Sequence, residues 1–222
     1  MKKIISLTII LLLTLLVTAC SDTEEGNSLK IDYTNKDHEI DLKYDTKNPV
    51  VQMEIKDYGN IYIELYSDIA PNTVSNFVYL TKTGFYDNNT FHRLIDQFVL
   101  QGGDPTGTGT GGPEYNIKGE FTANGFKNDL LHEEKVVSMA RSTSYNSAGS
   151  QFFIMLGKAE HLDNNYAAFG KVIDGWDIVE KIVNENKTKV SDNNGTLINN
   201  LTISKTMIDL NSYKNDKVMV IK

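Results

Sequence analysis

The chain has 222 residues, 40% of them hydrophobic and 23% charged, with 22 Lys and Arg against 29 Asp and Glu for a formal net charge of −7. That length and apolar content fit one domain with a real core plus extensions, and they exclude a disordered composition. The acidic balance, with no Lys/Arg-rich block, argues against nucleic-acid binding, which needs clustered cations to neutralise phosphates. The single cysteine excludes an intrachain disulfide and a cysteine-rich metal site.

The first element is an address. Lys2 and Lys3 precede an almost wholly apolar run from Ile4 to Val17. That run is short for a membrane span but has the size and flanks of a secretory signal. It ends in Val17-Thr18-Ala19-Cys20, which resembles a bacterial lipobox. The resemblance implies cleavage before Cys20 and lipidation of its thiol; a plain signal peptide or membrane anchor is the alternative. Residues 1–19 are therefore expected to be a lipoprotein signal peptide. Its removal leaves 20 basic against 29 acidic residues, a net −9. The implied location is the extracytoplasmic face of the cell membrane, held by lipid on Cys20. Residues 20–48 are polar, acidic and weakly periodic, and are expected to be the lipidated N-terminus and a tether, with a short strand around Ile40 to Tyr44 as the alternative.

From Val50 the texture changes. Residues 50–55 and 61–65 alternate as two strands around a turn that contains Gly59, a hairpin pattern. Pro71 suits the first turn of a helix, in which Val74, Phe77 and Val78 share one face and Gly84 marks the end. Short strands are predicted at 90–95, 98–101, 136–140, 151–156, 167–172 and 201–208, with a second helix at 176–183 that turns Ile178, Val179 and Ile182 inward. Residues 184–200 read as a loop and 211–222 as a C-terminal tail. Many short strands with two helices predict a mainly β domain over residues 49–210, a closed barrel with helical caps.

Three segments carry the chemistry. They are Phe91-His92-Arg93-Leu94-Ile95-Asp96-Gln97-Phe98-Val99-Leu100-Gln101-Gly102-Gly103-Asp104, then Ser138-Met139-Ala140-Arg141 followed by Ser150-Gln151-Phe152-Phe153, then Leu162-Asp163 with Phe169-Gly170-Lys171-Val172. Strict alternation puts Phe91, Arg93 and Ile95 on one side of a strand. An arginine on an apolar face must be hydrogen-bonded or ion-paired to be tolerated. In this order and spacing the segments resemble the cyclophilin family, from about Val50 to Ile208.

The resemblance implies an eight-stranded antiparallel barrel closed by two helices, and cis/trans isomerisation of X-Pro peptide bonds without cofactor or metal. It implies Arg93, Phe98 and Gln101 as catalytic. His92, Val99, Gly109, Ala140, Arg141, Gln151, Phe153, His161, Leu162 and Tyr166 would bind substrate. The family pattern commonly has methionine at Val99, asparagine at Arg141, histidine at Tyr166 and tryptophan at His161, so the pocket is expected to differ there. Expected partners are proline-containing unfolded or secreted polypeptides and the membrane, with the chain a monomer; a proline-segment binder with little turnover is the competing reading.

Other motifs weigh little. His132-Glu133-Glu134 lacks the second ligand one helical turn on and reads as a surface turn, and the Gly102–Gly112 loop lacks the Gly-Lys-Ser/Thr of a phosphate loop. Asp163-Asn164-Asn165 and Asp192-Asn193-Asn194 do not complete a calcium loop.

Overall fold

Residues 27–221 are described by the computed structural model; the leader and Cys20 lie outside the described residues. The chain enters on a short strand, β1 (Ser28–Lys30). Eight strands follow that close into one barrel: β2 (Val50–Ile55), β3 (Gly59–Leu65), β4 (Thr90–Ile95), β5 (Val99–Asp104), β6 (Val136–Met139), β7 (Phe152–Met155), β8 (Ala168–Asp174) and β9 (Thr196–Asp209). Their order around the barrel is β2-β3-β8-β6-β7-β5-β4-β9, all neighbours antiparallel, with β9 returning to β2. Alternation sends Val51, Met53 and Ile55 of β2 and Ile61, Ile63 and Leu65 of β3 into the core.

The helices cap the barrel. α1 (Pro71–Lys82) starts on its proline, and Ala70 before it offers no side-chain cap. Glu120 supplies one from a distant loop: its carboxylate accepts from the backbone N–H of Asn72 (3.0 Å) and of Thr73 (2.7 Å). Val74, Phe77 and Val78 are fully buried. α2 (Trp176–Asn186) runs three residues further than its apolar periodicity predicts. Asn186 ends it by bonding back to the Ile182 carbonyl and across to the Tyr58 hydroxyl. Gly175 precedes it at φ 74°, where a side chain would run into the Asn60 carbonyl.

Three expectations are corrected. β4 does not alternate strictly. Phe91 pairs with Gly102 and Arg93 with Gln101, so His92 is an extra residue in a bulge. The slip keeps Phe91 and Leu94 in the core and turns Arg93 and Ile95 to the other side. The loop expected at 184–200 gives way at Thr196 to β9, which is 14 residues long and irregular where it meets the bulge.

The third correction concerns the ends. The stretch expected as a tether is packed from Ser28 onward. β1 pairs with a strand from the C-terminal tail, β10 (Lys217–Met219). Ile31, Val218 and Val220 are buried, and Lys82 reaches from α1 to the Asn35 carbonyl and the Glu39 carboxylate. Ile40 bonds to the Ile208 carbonyl and Leu42 to the Asp209 carboxylate, so 40–44 is held on β9 without forming a strand of its own. An aspartate at Val218 is expected to cost about 2–4 kcal/mol, because it buries a charge without a partner. Urea unfolding would show a lower midpoint, and limited proteolysis would cut before Val50 while the barrel resists.

Candidate active site

The site lies on the outer wall of the barrel, on the side opposite the core face of the same strands. Leu100, Phe152 and Ile154 point into the core. Their neighbours Val99, Phe153 and Met155 point outward and form a second apolar cluster with Val136, Ala159, Leu162 and Ala168. Register aligns the rest: Arg93 stands opposite Gln101, Gln101 opposite Phe153, and Phe153 opposite Ser138. One row of side chains thus crosses β4, β5, β7 and β6. The bulge at His92 brings Arg93 into that row.

A hollow of about 480 Å³ sits over it. Arg93, Phe98, Val99, Gln101, Phe153, His161, Leu162 and Tyr166 line it, with Ala140 and Arg141 on the rim. Phe98 and His161 stack at 5.6 Å, and Tyr166 stands edge-on to Phe153 at 6.0 Å. A 3-10 turn at Glu160–Leu162 carries His161 and Leu162 to the edge. A second hollow of about 450 Å³ adjoins it, sharing Gln101, Ala140 and Arg141 and bordered by Gln151 and Gly109. His92 lines neither hollow. Its ring is buried, both ring nitrogens lack a partner, and burial lowers its pKa from the ordinary value. Asn165 in the first hollow, and Tyr115 and Asn116 in the second, were not foreseen. Asn165 falls between Leu162 and Tyr166, and that spacing alone could have included it.

The arginine is fixed from two sides. Its Nε donates to the Asn194 carbonyl at 2.8 Å and its Nη1 to Gln101 Oε1 at 3.0 Å. Gln101 Nε2 donates to Gln151 Oε1, and Gln151 Nε2 donates to the carbonyls of Gly109 and Gly111. The relay sets the direction of both amides, because each oxygen is already committed as acceptor. Among the described residues, Arg93 Nη2 has no acceptor and remains available toward the hollow. Burial lowers the Arg93 pKa from its ordinary value, but a guanidinium stays charged at neutral pH.

Behind the pocket wall, His132 is buried between Asp163 and Ser138, each 3.0 Å from a ring nitrogen. Its ring stacks on Phe153 at 6.1 Å. A carboxylate only accepts, so Nδ1 carries the proton and Nε2 accepts from the Ser138 hydroxyl. Burial outweighs Asp163 and lowers the His132 pKa, so the ring is neutral.

Asp104 organises the glycine loop beside the second hollow. Its carboxylate accepts from the N–H groups of Thr106, Gly109 and Gly111 and from the Thr106 hydroxyl. Burial opposes its ionisation, but these bonds outweigh burial and hold its pKa at about 2. With the folded value below the unfolded value of about 3.9, the stabilisation is complete above pH 4 and disappears as pH falls through 2. After allowance for solvent screening this contributes roughly 1 kcal/mol. Thermal unfolding of the wild type and Asp104→Asn between pH 5 and pH 2 should converge at the acid end.

An outer-wall groove with an apolar pocket, a fixed cation beside it and an edge of backbone defines a site for an extended peptide rather than for a small metabolite. The comparisons agree. The family model "Cyclophilin type peptidyl-prolyl cis-trans isomerase/CLD" matches residues 50–208. Peptidyl-prolyl cis-trans isomerase B of Bacillus subtilis is 45% identical over 130 residues, 59% of this chain and 87% of that protein. A peptidyl-prolyl cis-trans isomerase-like 2 protein of Rhizopus delemar is 44% identical over 128 residues, where the match spans only 24% of that longer protein. A crystal structure of a Cryptosporidium parvum cyclophilin type isomerase, in the presence of the dipeptide Ala-Pro, superposes with a TM-score of 0.63 at 32% identity and covers 72% of this chain and 98% of that one. The chain belongs to the family of cyclophilin-type peptidyl-prolyl cis-trans isomerases.

Proposed function

We propose that the chain isomerises X-Pro bonds in proline-containing polypeptides by holding the proline ring in the apolar hollow and stabilising the twisted amide with Arg93. The observation that carries this is the cross-strand row that sets a doubly anchored Arg93, with Nη2 uncommitted, beside Val99 and Phe153. The barrier to rotation is about 18–20 kcal/mol because twisting breaks amide resonance. No covalent bond is made or cut, so the task is to bind the twisted state better than either planar state. In the twisted state the prolyl nitrogen regains a lone pair and accepts a hydrogen bond, which Arg93 Nη2 can donate. Phe98, Val99, Phe153 and Leu162 grip the ring, while backbone at Ala140 and the amide of Gln101 steady the flanking chain. A 10⁵-fold acceleration needs roughly 7 kcal/mol, so positioning and exclusion of water add to this one charged hydrogen bond. A protease-coupled assay on a short X-Pro peptide, with the chain from Ser21 onward, tests the reading. Turnover supports it; peptide binding without turnover would make the chain a proline-segment binder instead.

The same reading places the enzyme, as a monomer, on the extracytoplasmic face of the membrane through lipid on Cys20, where slow X-Pro isomerisation limits the folding of secreted chains. The Lys2-Lys3 start, the apolar run and the small residues before Cys20 support it, and two acyl chains suffice for stable attachment. Cys20→Ala is expected to move the protein from the membrane fraction to the soluble fraction. Retention of that variant with the membranes would overturn the placement.

A further inference from the structure

Arg141 is the one charged side chain that borders both hollows. It does not reach out as a free cation. Nε and Nη2 donate to the Asn165 carbonyl at 3.0 and 2.9 Å, and Nη1 donates to the Ser142 carbonyl at 2.9 Å. The guanidinium lies over the rings of Tyr166 at 4.6 Å, Tyr145 at 5.0 Å and Phe121 at 5.2 Å. Its acceptors are neutral carbonyls and its cradle is aromatic, so the positive charge is held in place without being cancelled.

The lining of the two hollows contains Arg93 and Arg141 and no carboxylate. Acidic groups flank the groove without lining it, exposed Glu114 between Pro113 and Tyr115 among them. Asp104 is turned under its loop by four donors, and Asp163 is turned away to the buried, neutral His132, so both keep their charge but hold it outside the lining. Glu160 is paired with Lys158 at 2.7 Å, and Asp192 accepts from the backbone and hydroxyl of Thr196. The charged groups in the lining itself are thus both cationic, in a chain of net charge −7. The repulsion from distant surface charges is screened beyond about 8 Å at physiological salt, whereas a substrate side chain in the groove feels the two guanidiniums directly.

We propose that this groove selects proline segments with an acidic residue beside the proline, and that Arg141 is the specificity-determining residue. The inference rests on the isomerase reading above and extends it to substrate class. Most of the N–H groups of Arg141 are committed, so it acts through its field. It should accept aspartate and glutamate alike and disfavour lysine. At separations of about 6 Å and an effective dielectric between that of water and that of a protein surface, replacing Glu by Lys in a substrate should change kcat/KM by about 5- to 50-fold.

The test uses the full chain in non-ionic detergent and a set of peptides identical except for Glu, Gln or Lys at each of the two positions on either side of the proline. Isomerisation is followed by NMR exchange, which needs no coupling protease. The expected result is Glu over Gln over Lys at one or more of these positions in about 20 mM salt, with the Glu/Lys ratio falling toward one in about 0.5 M salt. Arg141→Gln should shrink the ratio at least threefold, whatever it does to absolute rates, and Arg141→Lys should keep most of it. Equal rates for Glu and Lys peptides at low salt, with the Gln peptides turned over normally, would overturn the proposal and leave the isomerase reading intact. A ratio untouched in a folded Arg141→Gln protein would reduce Arg141 to a structural clasp and overturn its assigned role. If that variant does not fold, the salt dependence of the wild-type ratio decides. If no peptide is turned over, the isomerase reading fails, and the ratio of peptide Kd values by fluorescence anisotropy decides the charge selectivity.

Discussion

Arg93→Ala is expected to lower kcat/KM for a neutral X-Pro peptide by about 10²- to 10³-fold, the usual cost of removing one preorganised donor to charge that develops only in the transition state. Peptide affinity should fall far less, because Phe98, Val99, Phe153 and Leu162 still form the pocket. Loss of kcat with KM nearly unchanged marks an interaction made in the twisted state alone. Arg93→Lys should recover little. A lysine cannot at once satisfy Asn194 and Gln101 and still present a third, directed N–H, which the fork of Arg93 does. A fall in rate of less than tenfold for the alanine variant, measured in the protease-coupled assay, would move the catalytic burden from Arg93 to pocket positioning.

Phe77→Ala should have the largest effect on stability, about 3–5 kcal/mol. Phe77 stands on the buried face of α1 with ring centroids of Tyr86, Phe169 and Phe152 at 4.8, 5.1 and 5.3 Å. Phe152 is adjacent in sequence to Phe153 of the proline pocket, so the cavity should also loosen β7. Chemical denaturation would give the loss in stability, and a raised KM in the surviving folded fraction would report the softened wall. A loss below 1 kcal/mol would mean that the cluster repacks.

The barrel was legible in sequence from its short alternating strands, and most of the groove through the family resemblance that Phe91-His92-Arg93, Ser138-Met139-Ala140-Arg141 and Phe169-Gly170-Lys171-Val172 carry. Val99-Leu100-Gln101 and Phe152-Phe153-Ile154 read as strands, and the barrel they join decides that Leu100, Phe152 and Ile154 face the core while Val99 and Phe153 face the site. Alternation failed at Phe91-His92-Arg93, because a bulge is made by pairing with β5 and β9, which a single strand does not reveal. The Asn194 carbonyl that holds Arg93 was invisible for a related reason: any residue type supplies a carbonyl, and this one comes from 101 positions away. His132 read as a surface turn because its neighbours Glu133 and Glu134 are polar, yet it is buried behind Phe153. The packed ends did leave a trace. Leu29, Ile31 and Tyr33 alternate with Ser28, Lys30 and Asp32, and Val218 and Val220 alternate with exposed neighbours. Each run is too short to stand out alone, and each becomes a strand only by meeting the other.

That meeting of the two ends shortens the leash. Val220 donates to the carbonyl of Asn27, the first of the described residues. Seven residue steps separate Asn27 from Cys20, and even fully extended they reach no more than about 25 Å. The ladder then runs from Asn27 through Val220 and Ile221 to Asn116 and Ile117, and on to Ala148 beside the second hollow. Three strand spacings amount to about 15 Å. Under the proposed lipidation of Cys20, these two lengths would hold the groove within about 40 Å of the bilayer surface.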